Sequence, residues 1–393
     1  MFLAVWVFTA GMMFLSRSTR LWLKDLPLDP PEAPKLPSLA VVVAARNEAA
    51  GLKQALASLL AQDYPGLTLI VVNDRSDDGT GPLLDEMARG DARLRIVHVK
   101  DLPQGWLGKN HALQLGYEAT KSDFILFTDA DVVFPSPTLL SRAVRHAVEN
   151  KFDHVTLFPD VPPDNFAEKL FLMIFNIAFS VRYPVWAVQA RWIPVAMGVG
   201  AFNLVRREAI AAIGAFEHLR LSIDDDIRLG QALKFAGFVP RVALGKDEVV
   251  VKWQTGLWGY IQGLEKNFFA SLDFNLVSSA VALVGLTLLT CSGYLFLLAP
   301  TPLNIAIGLA NTCLIGVILH EGAEQTRVPT WFALILPLAG LLLNVAHVNS
   351  IFRVFQRDGV VWRSHHYHLD ELRRHVRERN RWMRHLWKTR SPG

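Results

Sequence analysis

The chain is predicted to be an α/β protein that also carries membrane-associated helices. Three observations predict this. Between residues 38 and 250, short continuous apolar runs alternate with stretches of helical periodicity. That pattern suits a parallel sheet covered on both faces. Acid-rich polar turns follow the runs directly, at 44–48, 73–80 and 129–131. Three strongly apolar segments, about 276–299, 303–320 and 330–352, close the chain. The length of 393 residues suffices for two or three domain-sized units. A hydrophobic fraction of 51% and a mean hydropathy of +0.25 are high for a soluble protein and imply that part of the chain lies in lipid.

Each segment can be justified in order. Residues 1–16 are apolar apart from Thr9 and Ser16, and Arg17, Arg20 and Lys24 follow. A signal peptide carries its charge ahead of the apolar stretch, so 1–24 is expected to be a retained membrane anchor with its basic flank in the cytoplasm. At this length a position in the interface is the alternative. A linker at 25–37 carries Pro27, Pro30, Pro31, Pro34 and Pro37, which block both helix and sheet. Buried strands are expected at 39–44, 67–72, 94–99 and 124–128, with a helix at 48–60 after the first. Residues 166–188 are rich in Phe, Ile, Leu and Trp but include Glu168, Lys169, Arg182 and Pro184. This reads as an interfacial helix rather than a spanning one.

Residues 271–352 form the expected transmembrane region. Its middle segment is short and contains Asn304 and Asn311. Three spans after a cytoplasmic domain would put the basic tail outside, against the positive-inside tendency, whereas a re-entrant middle segment would keep it inside. The tail, 353–393, holds 11 Lys/Arg against 4 Asp/Glu. That surplus of 7 exceeds the whole-chain net charge of +4 and leaves the rest of the chain at −3. Basic character thus belongs to the tail, and with no recognisable module nucleic-acid binding is not supported. Leu369, Leu372, Val376, Met383 and Leu386 follow helical spacing, as in an amphipathic helix on an anionic membrane surface; a solvated charged helix is the alternative. His365, His366 and His368 have no Cys or carboxylate cluster beside them and are not assigned to a metal. Cys291 and Cys313 lie in apolar segments and exclude a disulfide framework or a zinc site.

The chemistry-bearing residues stand at the ends of the apolar runs. Asp129 and Asp131 follow 124–128, and strand alternation points both the same way. Two such carboxylates suit a hard divalent cation that keeps a substrate phosphate in its shell, although a solvated turn has the same spelling. Ala44-Ala45-Arg46-Asn47-Glu48 ends the first strand, where open parallel sheets bind ligands; Asn47 as a helix cap is the structural alternative. Asp74 follows the second strand and can accept a hydrogen bond from a base or ribose, while Asp77 or Asp78 suits capping. In Gly105-Trp106-Leu107-Gly108-Lys109, the glycines permit close backbone approach and Lys109 is a point charge for phosphate, but the Walker A spacing is absent. Asp224, Asp225 and Asp226 are crowded before a helical stretch at 227–236, and crowding raises carboxylate pKa values toward those of a general base.

Taken in order, Ala-Arg-Asn-Glu, the Asp-rich turn, Gly-x-Gly-Lys-x-x-Ala-Leu, Asp-Ala-Asp and the acidic pair before a helix resemble the family 2 glycosyltransferases of GT-A fold, over residues 38–270. Trp106 to Leu113 and the apolar ends look most like the branch of ceramide glucosyltransferases and of hopanoid- and carotenoid-associated bacterial enzymes, the hopanoid-associated type above all. The resemblance implies that Asp74 contacts the donor nucleobase, that Ala44, Arg46 and Glu48 line the nucleotide site, and that Lys109 lies near it. It implies that Asp129 and Asp131 hold Mn²⁺ or Mg²⁺, with Asp131 the direct ligand, and that Asp226, paired with Asp225, is the catalytic base. The implied reaction is single-sugar, inverting transfer from a nucleotide-diphospho-sugar, a UDP-sugar by expectation, to a hydroxyl of a membrane lipid, with the catalytic domain in the cytoplasm. A processive polysaccharide synthase and a catalytically silent nucleotide-sugar-binding scaffold are the alternatives. One departure stands out. Where the family carries Gln-x-x-Arg-Trp, this chain has Gln254 to Trp258 with Leu257 at the Arg position, and Lys266 is the candidate substitute.

Overall fold

The computed structural model describes residues 2–15, 20–27, 35–298, 301–363 and 365–389. Residues 28–34, the greater part of the expected linker, and Arg17 in the basic flank of the anchor lie outside the described residues. The chain forms two compact units. One comprises Leu21–Asp160, Ala187–Lys252 and Arg374–Gly393, and the other Met1–Arg20, Val161–Trp186 and Trp253–Arg373.

The first unit is built on an eight-stranded sheet. Its strands are β1 (Leu39–Ala45), β2 (Thr68–Asp74), β3 (Leu94–Val99), β4 (Phe124–Asp129), β5 (Val132–Val133), β6 (His154–Asp160), β7 (Asn203–Arg206) and β8 (Pro240–Val251), in the order β3-β2-β1-β4-β7-β6-β8-β5. All four expected strands form. Their side chains are buried because helices cover the sheet; Leu39 to Val43 and Leu69 to Val72 are inaccessible to solvent. Strands β1 to β4 are mutually parallel, as the continuous apolar runs predict. The sheet as a whole is mixed, because β7 runs antiparallel to both β4 and β6. This departure shapes the site. Phe127 pairs with Asn203, so the loop feeding β7 lies beside the carboxyl end of β4.

In chain order the helices are α1 (Phe2–Leu15), α2 (Ala49–Leu60), α3 (Thr80–Gly90), α4 (Gly108–Glu118), α5 (Leu139–Glu149), α6 (Phe166–Arg182), α7 (Val185–Gln189), α8 (Arg207–Ala212), α9 (Asp225–Phe235), α10 (Gly256–Gly263), α11 (Asn267–Ser271), α12 (Leu276–Leu295), α13 (Pro302–Thr326), α14 (Leu336–Gln356) and α15 (Leu369–Thr389). On one sheet face, α4 and α9 share a core with the strands through Ala112, Leu113, Leu229, Ala232 and Leu233. The tail helix α15 joins the same core. Trp382, Met383, Leu386 and Trp387 pack on it, with Trp387 5.0 Å from Phe235 and Trp382 stacked on His218 at 4.4 Å. Over these residues the apolar stripe expected to meet a membrane is covered by protein instead.

The second unit is helical. The segment at 166–188 is interrupted because Pro184 cannot continue a helix, so α6 ends at Arg182. Its start is a reciprocal cap. Asn165 accepts the amide of Glu168, and the buried Glu168 carboxylate takes the amides of Asp164 and Gly256. The middle apolar segment is longer than expected. Helix α13 runs 25 residues through His320, Glu321 and Glu324, whose polarity had marked its end at 320 although glutamate is a good helix former. Among the described residues, four stretches are long and apolar enough to cross a bilayer: Phe166–Gln189, Leu276–Leu298, Pro302–Thr326 and Thr330–Gln356. Val277, Val281 and Val284 on α12 are 74%, 67% and 58% exposed, an apolar face suited to lipid rather than water.

Candidate active site

The carboxyl ends of β1, β2 and β4 gather the expected residues within the sheet unit. Ala44 pairs with Asp129 across β1 and β4, so the first-strand turn and the Asp129 turn are neighbours. Asn47 has a left-handed backbone (φ 56°) and does not cap α2. It exchanges hydrogen bonds with Asp77 and donates its amide to the Ser76 hydroxyl, tying the two turns together. Asp78 is the capping residue, accepting the amides of Ala49 and Thr80.

Asp74 is buried and engaged. Arg75 clamps it in two hydrogen bonds of 2.7 and 2.9 Å, and Arg46 lies 3.8 Å away. Its carboxylate rests against the first turn of α4, where any Cβ at Gly108 would collide with it. Anionic groups are favoured at such a helix start.

One residue further along α4, the Lys109 ammonium sits 2.7 Å from Asp129 Oδ1 and 3.5 Å from Asp225 Oδ1. Burial works against that charge, but Asp129, Asp225 and Asp226 outweigh it and raise the lysine pKa. The Asp226 pKa is raised as well, for a different reason. Burial raises it, against the pull of Lys109 and of two amides: Gly200 donates to Oδ2 at 2.7 Å and Ile227 to Oδ1 at 2.8 Å. Asp131 retains solvent access but stands in a concave, acidic surround. Desolvation, with Asp129 and Glu48 nearby, pushes its carboxyl up to about 6. Lys109, Asp129, Gly200, Asp225 and Asp226 line one small recess.

The loop before β7 contributes what the sequence reading missed. The Gly200 carbonyl accepts the Asp129 amide at 3.1 Å while its own N–H holds Asp226, so one residue links the two acidic motifs. A Cβ at Gly200 would strike the Asp129 carboxylate, and one at Gly198 the backbone of Asp226. Thr156 and Asn203 fix the same loop through Val199. Behind it, Asn110 donates to the carbonyls of Leu219 and Ser222, and Asp224 pairs with Arg228 at 2.9 Å, with Arg379 of the tail helix 3.9 Å away. The signal available in the sequence was Gly198-Val199-Gly200 directly ahead of an apolar strand.

Among the described residues no three His, Cys, Asp or Glu form a ready cage for a metal ion. The donor set nonetheless fits a divalent cation shared with a ligand. Four carboxylates, Asp129, Asp131, Asp225 and Asp226, act on the Lys109 ammonium. Mg²⁺-type ions are commonly held by one or two carboxylates, with phosphate oxygens and water completing the shell. Within the helical unit, Gln254 packs on Gly263, and the Lys266 ammonium lies 3.6 Å over the Trp362 ring.

A mixed α/β sheet with carboxylates and a lysine at the ends of its parallel strands gives the chain a GT-A type fold. Residues 40–214 match the family model described as glycosyl transferase family 2. That segment is similar to family 2 glycosyltransferase domains. Probable glycosyltransferase YdaM of Bacillus subtilis is 27% identical over 239 residues, 57% of this chain and 54% of that protein. The 4,4'-diaponeurosporenoate glycosyltransferase of Staphylococcus aureus is 25% identical over 265 residues, 64% of this chain and 69% of that protein. The chain thus spans about half the length of YdaM. Among solved structures, the mannosyltransferase PcManGT from Pyrobaculum calidifontis in complex with GDP-Man and Mn²⁺ has the same fold, at a TM-score of 0.52 and 19% identity over 90% of this chain and 98% of that one.

Proposed function

We propose that the protein transfers a single sugar, with inversion, from a nucleotide-diphospho-sugar to a hydroxyl of a membrane lipid. The observation that carries this reading is the joining of Asp129 and Asp226 through Gly200, with Lys109 between the two acidic motifs. In this reading Asp74, Arg46, Glu48 and Ala44 surround the nucleotide, and Lys109 faces the diphosphate. Asp129 and Asp131 hold Mg²⁺ or Mn²⁺, and the PcManGT complex with GDP-Man and Mn²⁺ supports a divalent ion and a nucleotide sugar. The ion supplies positive charge against the departing diphosphate. Asp226, its pKa raised by burial, takes the acceptor hydroxyl proton as the oxygen attacks the anomeric carbon, and the bond to the nucleoside diphosphate breaks in the same displacement. Asp225 keeps Lys109 beside the base.

The lipid acceptor is supported by the four candidate spans, by the exposed apolar faces and by a relative named for 4,4'-diaponeurosporenoate. The carotenoid-associated side of the expected branch is the one that relative favours. With the sheet unit in the cytoplasm, the donor would come from the nucleotide-sugar pool there. The test uses the purified full chain, a panel of UDP- and GDP-sugars and a membrane lipid extract, with products read by mass spectrometry. One hexose added per lipid, lost in Asp226→Asn and Asp131→Ala variants that fold normally, is the expected result. Long polymer product, or full transfer by either variant, would overturn it.

A further inference from the structure

The tail helix α15 turns two faces in different directions, and only one is accounted for. Within the sheet unit, His375, Arg379 and Met383 are buried, and Trp382, Leu386 and Trp387 pack on the core. His375 lies 3.2 Å from the Ser222 hydroxyl, and Arg379 donates to the same oxygen at 3.3 Å. The opposite face carries Arg374, Arg377, Arg381, Arg384 and Lys388, all exposed. Their spacing of three, four, three and four residues places them in one line along the helix. At 1.5 Å per residue the line is about 21 Å long. Among the described residues no ion pair involves any of the five, and Glu378 is the sole exposed acid between Arg374 and Lys388. Within the described residues this charge is therefore not neutralised by an acidic partner.

We infer that this cationic line is a docking surface for the anionic headgroups of membrane lipids, by which the helix bound to the catalytic sheet also grips the bilayer surface. Charge complementarity selects the partner. A row of guanidinium groups matches phosphate geometry, and basic segments gather on anionic leaflets. A nucleic acid is the less suited polyanion, since stacking on bases needs exposed aromatics and the tail's Trp382 and Trp387 are turned into the core. The apolar stripe read in the sequence as the membrane-facing side instead holds the helix to the enzyme. The inference rests on the proposed membrane residence of the chain.

The experiment uses the full chain with Cys291→Ser, Cys313→Ser and His385→Cys, the last labelled with a fluorophore beside the line. The labelled protein is reconstituted in nanodiscs of phosphatidylcholine containing a headgroup nitroxide lipid, with rising fractions of phosphatidylglycerol. Quenching is expected to grow with the phosphatidylglycerol fraction and to fall with added salt. It is expected to lose its dependence on phosphatidylglycerol when the five cations become Gln, while transfer activity in detergent is retained. Quenching indifferent to phosphatidylglycerol, or equal in the five-fold variant, would overturn the inference. So would tight binding of a single-stranded RNA oligonucleotide that abolishes the lipid effect. A chain that failed to enter nanodiscs at all would overturn the membrane reading itself, and this one with it.

Discussion

Asp226 and Gly200 show how much a single glycine can set. The Asp226 carboxylate is buried beside Lys109, and burial raises its pKa above the ordinary carboxylate range. A general base works only when deprotonated, so the sign is fixed. The chemical step should slow as pH falls through that raised value and level off above it, an acid limb read in the pH profile of kcat. Asp226→Asn should lower kcat by roughly 10²–10⁴-fold, the usual worth of a positioned base. Gly200→Ala tests the frame rather than the charge. Its methyl would meet Asp129 and push the loop off both acidic motifs. Overpacking of this sort costs about 1–3 kcal/mol. The expected pattern is a fall in kcat with a smaller loss of melting temperature; unchanged kcat would show that the Gly200 link is dispensable. The carboxylates were legible in the sequence because charges placed after apolar runs have few structural explanations. Gly200 was passed over, since its contribution is a backbone N–H and an absent side chain, and Gly198-Val199-Gly200 ahead of the strand was the one trace it left.

The elements divide by how local their causes are. Strands β1 to β4 and helices α2 and α9 were legible because each follows from a run of apolar residues and the polar turn beside it. Strand β7 was not, because Asn203 to Arg206 is short and takes its direction from pairing with β4 and β6. Its place in the sheet depends on buried polar contacts that no periodicity reports. His154 on β6 is 1% exposed and hydrogen-bonds Asn203 on β7 at 3.0 Å. Burial depresses its pKa from 6.5 to about 4. The folded state therefore refuses a proton that the unfolded chain accepts. Stability is full above pH 6.5, falls as pH drops below it, and goes on falling until about pH 4. At about 1.4 kcal/mol per pKa unit, the loss approaches 3 kcal/mol. Denaturant unfolding of the full chain between pH 7 and 4.5 should show this decline, with a shallower slope in His154→Gln. Parallel slopes for the two proteins would show that His154 is not the group responsible.

At the scale of the whole chain, the connectivity constrains how the helical segments can meet a membrane. The sheet unit is entered three times. Strand β6 ends at Asp160, the chain departs for Val161–Trp186, and it returns to supply β7 and β8 on either side of β6. A sheet cannot lie on both sides of a bilayer, so this excursion crosses an even number of times. Its main helix, α6, has 17 residues and is about 26 Å long, too short to cross and return. Lying in the interface satisfies both facts. The second excursion, Trp253–Arg373, contains α12, α13 and α14 and ends in a helix whose Met383 is part of the sheet unit's core. If the chain resides in a bilayer through these helices, an even number of crossings is required again, and two of the three would cross while the third would not. This removes the conflict between three spans and a basic tail, because the tail shares the side of the catalytic sheet whichever pair crosses. The measurement is labelling of single cysteines by an impermeant maleimide in oriented membranes, in a background with Cys291 and Cys313 replaced. Lys121→Cys on the sheet unit and His385→Cys on α15 should react from the same side. Thr301→Cys and Val328→Cys then identify the helix that does not cross: α14 if only position 301 is opposite, α13 if both are, α12 if only position 328 is. Reaction of His385→Cys from the side opposite to Lys121→Cys would show that α15 does not pack on the sheet unit in the membrane, and the parity argument would fall with it.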